Sequence, residues 1–267
     1  MVFTLCADDF GASASICDAI LSLGHSGRIN ATSVMVTGSE VDAAAPDLAA
    51  LPAVAAGLHV TLTDGQATRP SDFAPGGILP HVDRLTVAAL ARRLPLDEIA
   101  AEVERQFDRF EALFGAAPAF VDGHQHSHVL PGIRGVVLGI AARRAPRAWV
   151  RTCEDKMEAI MRRGVSRWRA TRSALLSAGM TAAAAHRGLT CNAGFAGLYD
   201  LGGSADYAAL FPRWLEAPGP HHLVICHPDR NGTSGRGMAA NRAREYRYLA
   251  ESPPAPGLSA AANGGAA

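Results

Sequence analysis

Short apolar runs alternate along the chain with longer segments whose apolar positions recur at helical spacing. Residues 2–7 read as a buried strand. Over residues 14–26, Ile16, Ala19, Ile20 and Leu23 repeat at helical spacing before Gly27. Further strands are expected at 31–36 and 54–63, with a Pro/Gly-rich loop over 68–80. The clearest helix is 96–114, where Ile99, Val103, Phe107, Phe110 and Leu113 form one stripe. Pro95 suits its start, where a missing N–H costs no bond, and Gly115 lies beyond its end. Strands are expected again at 119–122, 148–152 and 222–226, with a weaker one near 189–192.

Strand–helix alternation implies parallel strands joined by crossover helices. About seven such strands suit an α/β barrel better than an open sheet. The expected organisation is one barrel domain over residues 1–250. A flexible tail follows over 251–267, where Pro, Gly and Ala dominate without periodicity.

Composition narrows the partners. The chain has 267 residues, 48% hydrophobic and 19% charged, enough to bury a sizeable core, which excludes a disordered or fibrous protein. Lys+Arg and Asp+Glu are 25 each. No basic excess is available to neutralise phosphates, which argues against nucleic acid as the main partner. Lys156 is the single lysine, and the arginine- and alanine-rich stretch 162–187 carries no readable chemistry. Five cysteines, an odd number with no CxxC pair, point to a reducing cytoplasm rather than a disulfide framework. The N-terminus lacks a signal-peptide pattern, and no window approaches 18 apolar residues, so no membrane span is expected. The oligomeric state stays open, a homodimer being one option.

Four clusters carry candidate chemistry, each near the end of an expected strand, where α/β folds build their sites. Asp8 and Asp9 in ADDFG follow the first strand; the bland reading is a helix cap plus a solvated acid. His59 in GLHVTLTDG lies within an apolar strand, where a hydrogen-bonded core histidine is the commoner role. His124, His126 and His128 in VDGHQHSH recur at period two, which puts three imidazoles on one face of an extended segment and favours a metal. His227 in ICHP stands at the end of a buried strand, or is simply a turn residue before proline. Taken together, one carboxylate and two imidazoles make a facial metal site with open positions. A second acid and a distant histidine remain for proton transfer.

ADDFG, GRINATSVMV, GLHVTLTDG, FVDGHQHSHVLP, LTCNAGFAGLYD and ICHP, in that order over residues 2–250, resemble the YdjC family of carbohydrate deacetylases (ChbG/HpnK-like). The resemblance implies a distorted TIM-like barrel and metal-dependent removal of an acetyl group from an N-acetylated sugar. One divalent ion, Mg2+ or Zn2+, would be held by Asp9, His59 and His124. Asp8 would be the general base and His227 the general acid. A more distant similarity to polysaccharide deacetylases suggests Arg151, in WVRTCED, as the partner orienting Asp8. His126 and His128 fit a supporting or saccharide-contacting role better than ligation. The family usually ends in a hydrophobic strand, and LSAAANGGAA does not read as one.

Two rivals stand beside this reading. A phosphoesterase of similar fold would assemble two metals about 3.5–4 Å apart and need more carboxylates. A non-catalytic sugar-binding module would need neither base nor acid. Specificity is expected in the loops 64–94 and 192–205, where Phe195, Tyr199 and Asp200 offer stacking and hydrogen bonding.

Overall fold

Eight apolar runs become strands of one all-parallel sheet in the computed structural model, which describes residues 2–232 and 237–258. The first half of the chain supplies β1 (Phe3–Phe10), α1 (Ala14–His25), β2 (Ala31–Val34), α2 (Val41–Ala49), β3 (Ala55–Val60), α3 (Val82–Leu90), α4 (Leu96–Phe114) and β4 (Phe120–Gly123). Then come α5 (Ile133–Arg144), β5 (Trp149–Val150), α6 (Met157–Arg163), α7 (Arg167–Ser177), α8 (Met180–Ala185) and β6 (Thr190–Cys191). β7 (Phe195–Ala196), α9 (Tyr207–Trp214), β8 (His222–Cys226) and α10 (Ala239–Glu251) complete the order. None of the described helices is long and apolar enough to cross a membrane.

The sheet order is β6-β5-β4-β3-β2-β1-β8-β7. Its two edge strands, β6 and β7, are separated by residues 192–194 alone. Four residue steps span at most roughly 14 Å. The sheet must therefore curl until its edges nearly meet, although β6 and β7 do not pair among the described residues. The result is a curled half-barrel of eight parallel strands, one more than the pattern predicts. The extra strand is β7, whose two residues are too short to show a period.

Alternation along the strands feeds two apolar layers. On β8, Val224 and Cys226 join the main core under the helices, while Leu223 and Ile225 join a smaller cluster with Cys6, Phe120 and Phe195 on the other face. Within that smaller cluster Phe120 stacks on Trp149 at 4.4 Å. Gly57 on β3 makes this possible, because a Cβ there would lie 2.4 Å from the Phe120 ring.

The stripe on α4 is as the sequence predicts, with Ile99, Val103, Phe107 and Phe110 buried and Gly115 closing the helix at φ 66°. The same helix buries two polar residues. Gln106 bonds both the N–H and the carbonyl of Thr61, each at 2.8 Å, and Glu102 accepts the Thr68 N–H at 2.9 Å. These bonds fix the loop that follows β3.

Of the expected flexible tail, 252–258 runs beside the start of β1. The Phe3 N–H donates to the Gly257 carbonyl at 2.9 Å, and Leu258 bridges Phe3. Residues 259–267 lie outside the described residues.

Candidate metal centre and its proton-transfer groups

Parallel pairing gathers the charged residues at the carboxyl ends of β1, β3, β4, β5 and β8. Neighbours on a strand point to opposite faces, so Asp8 and Asp9 can share one site only if the chain turns between them. It turns at Asp9 itself, whose φ is 72°, and the β1–β2 register shifts between Ala7 and Phe10. Gly11, two residues on, is also left-handed at φ 98°. Aspartate tolerates this region better than most side chains, but holding it there still costs energy that the surrounding packing must offset.

The turn sends the two carboxylates to different partners. Asp9 Oδ1 lies 3.5 Å from His59 Nε2 and 3.0 Å from His124 Nδ1. These three donor atoms all fall within 4.8 Å of one another. Ligands about 2.1 Å from a tetrahedral ion stand about 3.4 Å apart, so this donor set fits a divalent cation. Asp9 Oδ2 pairs with Arg242 of α10.

His59 is oriented from behind. His59 and Asp122 are register partners on β3 and β4, and His59 Nδ1 meets Asp122 Oδ1 at 2.6 Å. With Nδ1 donating to Asp122, Nε2 is the nitrogen turned toward Asp9 and the one that would ligate a cation there, the arrangement in which an outer carboxylate fixes a ligating tautomer. Burial alone would lower the His59 pKa; Asp122, with help from Asp9 and Asp8, instead pushes it up to about 10.

Asp8 takes the other direction. Arg151 grips it with both Nη atoms, at 2.7 Å each, and reaches Asp122 Oδ2 at 2.6 Å. All three side chains are buried. Burial would raise the Asp8 pKa, but the Arg151 fork overrides it and holds the carboxyl well below its usual range. Cys6, Asp8 and Asp122 form a second cluster of metal-ligand type. Arg151 already supplies its cation, with Nη2 3.2 Å from Cys6 Sγ.

His227 stands across Asp8, with Nε2 3.8 Å from Asp8 Oδ2. Its backbone N–H donates to Glu245 Oε2 at 2.5 Å, and Glu245 also accepts the Tyr199 hydroxyl at 2.5 Å. Burial lowers the His227 pKa to about 4, outweighing the nearby carboxylates, so the ring rests neutral at pH 7. Its Nδ1 has no partner among the described residues.

The structure thus brings together Asp8, Asp9, His59, His124, Arg151 and His227. It corrects the picture of three histidines on one extended face. Gln125 and His126 adopt left-handed φ values of 53° and 58°, and 124–129 is a tight turn. His128 turns inward and bonds the Arg151 carbonyl at 2.9 Å. A side chain at Gly123 would meet it at 3.0 Å. His126 packs edge-on to Phe195, with centroids 5.5 Å apart. Two residues expected to contact sugar have other partners: Tyr199 is buried on Glu245, and Asp200 pairs with Arg169 at the surface. Phe195 is buried in β7.

Sequence reasoning gave no role to Asp122, Arg242 or Glu245. Asp122 had a usable signal, since parallel strands place the acid of VDGHQHSH beside the histidine of GLHVTLT. Arg242 had none within an arginine-rich chain.

Carboxylates outnumber guanidinium groups at the site. Three buried carboxylates, Asp8, Asp9 and Asp122, face two buried guanidinium groups, Arg151 and Arg242. A buried excess of negative charge is costly unless a proton or a cation offsets it. His59, its pKa pushed up to about 10, can hold such a proton; a divalent cation at Asp9, His59 and His124 would serve instead.

Comparison with known proteins gives the same direction. The family model described as YdjC-like protein matches residues 2–255. A chitooligosaccharide deacetylase of Enterobacter sp. (strain 638) is 37% identical over 140 residues, 52% of this chain and 54% of that protein. The corresponding protein of Citrobacter koseri is 37% identical over 142 residues, with the same coverage. The chain spans about half the length of these curated relatives. A solved structure from Enterococcus faecalis V583, provisionally assigned to cellobiose-phosphate cleavage, shares the fold at a TM-score of 0.66 and 19% identity, covering 93% of this chain and 90% of that one. The chain belongs to the YdjC family.

Proposed function

We propose that the protein is a metal-dependent hydrolase that removes the acetyl group from an N-acetylated saccharide, working as a single barrel domain. The observation that carries this reading is the pairing of Asp9, His59 and His124 with an ionised, Arg-clamped Asp8 and with His227 beside it. The names of the curated relatives support the same substrate class.

A divalent ion held by Asp9, His59 and His124 would supply Lewis-acid polarisation to the acetyl carbonyl and the attacking water. Asp8 is the base: Arg151 keeps it ionised and pins both of its oxygens in place, so it accepts the water proton without reorganising. The amine must leave with a proton, and His227 delivers it. Because burial holds His227 neutral at rest, the proton it delivers is one it has first received. Asp8 Oδ2, 3.8 Å away, is the neighbouring donor. His59 stays in one tautomer through Asp122 and contributes no proton.

Arg151 fills the second carboxylate cluster, which leaves one cluster open to a cation among the described residues. That favours amide hydrolysis over a two-metal phosphoesterase. Incubating metal-loaded protein with N-acetylated chitooligosaccharides and assaying free acetate tests the reading. Acetate release that is lost in Asp8→Asn supports it, and cleavage of phosphate esters without acetate release replaces it.

A further inference from the structure

The arginine-rich stretch that the chemistry does not use forms α6 and α7, and it carries large exposed apolar side chains. Trp168 is 77% exposed, Leu175 68%, Met157 48% and Met161 47%. Trp168, Arg172 and Leu175 fall at i, i+4 and i+7 of α7, so they share one helix face. The helix fully buries only Ser177, which leaves that face without a cover among the described residues.

The same region is strongly charged. Residues 156–187 hold seven lysines and arginines against one acid, Glu158, in a chain whose net charge is zero. Arg163 is spent on buried Asp155, and Arg169 pairs with Asp200. Lys156, Arg162, Arg167 and Arg172 are exposed and make no ion pair among the described residues.

We propose that the α6–α7 face docks on an anionic lipid surface. The argument is charge complementarity combined with apolar reach. Trp168 and Leu175 enter the headgroup–acyl boundary, while the flanking guanidinium groups meet lipid phosphates from stems that lie along the apolar surface. A second copy of the chain is a poor occupant, because two faces of the same positive charge repel. A nucleic acid is a poor one too, because stacking needs aromatic platforms and Trp168 is the one exposed ring of this face. Helix α7 also packs on the 124–129 turn. Docking would therefore hold the rim that carries His124 beside the headgroup layer. The inference does not depend on the reaction at that rim.

The test is flotation of the full chain with vesicles of phosphatidylcholine alone or phosphatidylcholine mixed with phosphatidylglycerol, alongside tryptophan emission. Binding to the mixed vesicles, a blue shift in emission and weakening by salt are expected. Each basic residue near such a surface is worth about fivefold in partitioning. Arg167→Glu combined with Arg172→Glu should therefore lower the bound fraction more than about tenfold. Leu175→Glu should abolish the blue shift, and Trp168→Glu should lower the bound fraction in flotation. An unchanged melting temperature in each variant excludes misfolding. Equal binding to neutral vesicles, or variants that bind like the parent, would overturn the proposal. So would a parent dimer that Trp168→Glu dissociates, or oligonucleotide binding that survives Leu175→Glu.

Discussion

Asp8 and Asp9 are neighbours in sequence and opposites in environment. Asp9 faces two imidazoles; Asp8 is held in a guanidinium fork. Asp9→Asn should therefore lose bound metal, read by metal analysis of the purified protein. Asp8→Asn should keep the metal and lose turnover by about 10²–10⁴, the usual worth of a general base. Equal metal loss in both would show that the acids bind as a unit. One residue further out, Asp122 both fixes the His59 tautomer and shares Arg151 with Asp8. Asp122→Asn should weaken metal affinity by about 10–100-fold in a calorimetric titration, because outer carboxylates of this kind typically carry that much. An affinity equal to that of the parent would show that His59 needs no such partner.

At the scale of elements, β1 and α10 do the positioning. The left-handed turn at Asp9 was not visible in the sequence, because a residue's φ depends on what it must reach. Two adjacent acids can reach one site only through a turn, and the glycine of ADDFG, Gly11, is left-handed as well. Helix 96–114 was legible because its stripe repeats over five turns with no help from the rest of the chain. β5 and β6 fall within the strands expected at 148–152 and 189–192, but β7, two residues long, is too short for any period to emerge. Arg242 reaches Asp9 across 233 residues, a distance no local motif records.

The same helix locks the His227 strand end through Glu245, and this lock should respond to pH. Burial, against weaker opposing bonds from Tyr199 and His227, raises the Glu245 pKa to about 7. The folded protein thus keeps a proton that the unfolded chain releases above its ordinary carboxylate pKa. Glu245 therefore costs stability progressively as pH rises from about 4.5 to 7, and the cost is constant above that. Measured by thermal melts, the parent should lose stability relative to Glu245→Gln across this window. A difference that does not change with pH would show that Glu245 is already ionised.

For the whole molecule, the curled sheet brings three carboxylates and two arginines from distant parts of the chain into one buried cluster, whose excess negative charge a proton on His59 or a divalent cation can offset. A ligand that binds only the folded state stabilises it, by about 2.7 kcal/mol at a hundredfold excess over its Kd. A divalent cation should accordingly raise the melting temperature by roughly 5–10 °C. The rise should persist in Asp8→Asn and vanish in Asp9→Asn.

The most direct test of metal-dependent deacetylation is acetate release from N-acetylated chitooligosaccharides as a divalent cation is titrated into metal-stripped protein. Acetate should be absent from the stripped protein and should rise in proportion to bound metal. It should level off at one ion per chain, and Asp9→Asn should stay inactive throughout. Acetate release from the stripped protein equal to that of the loaded one, or none at full loading across the saccharide series, would contradict it.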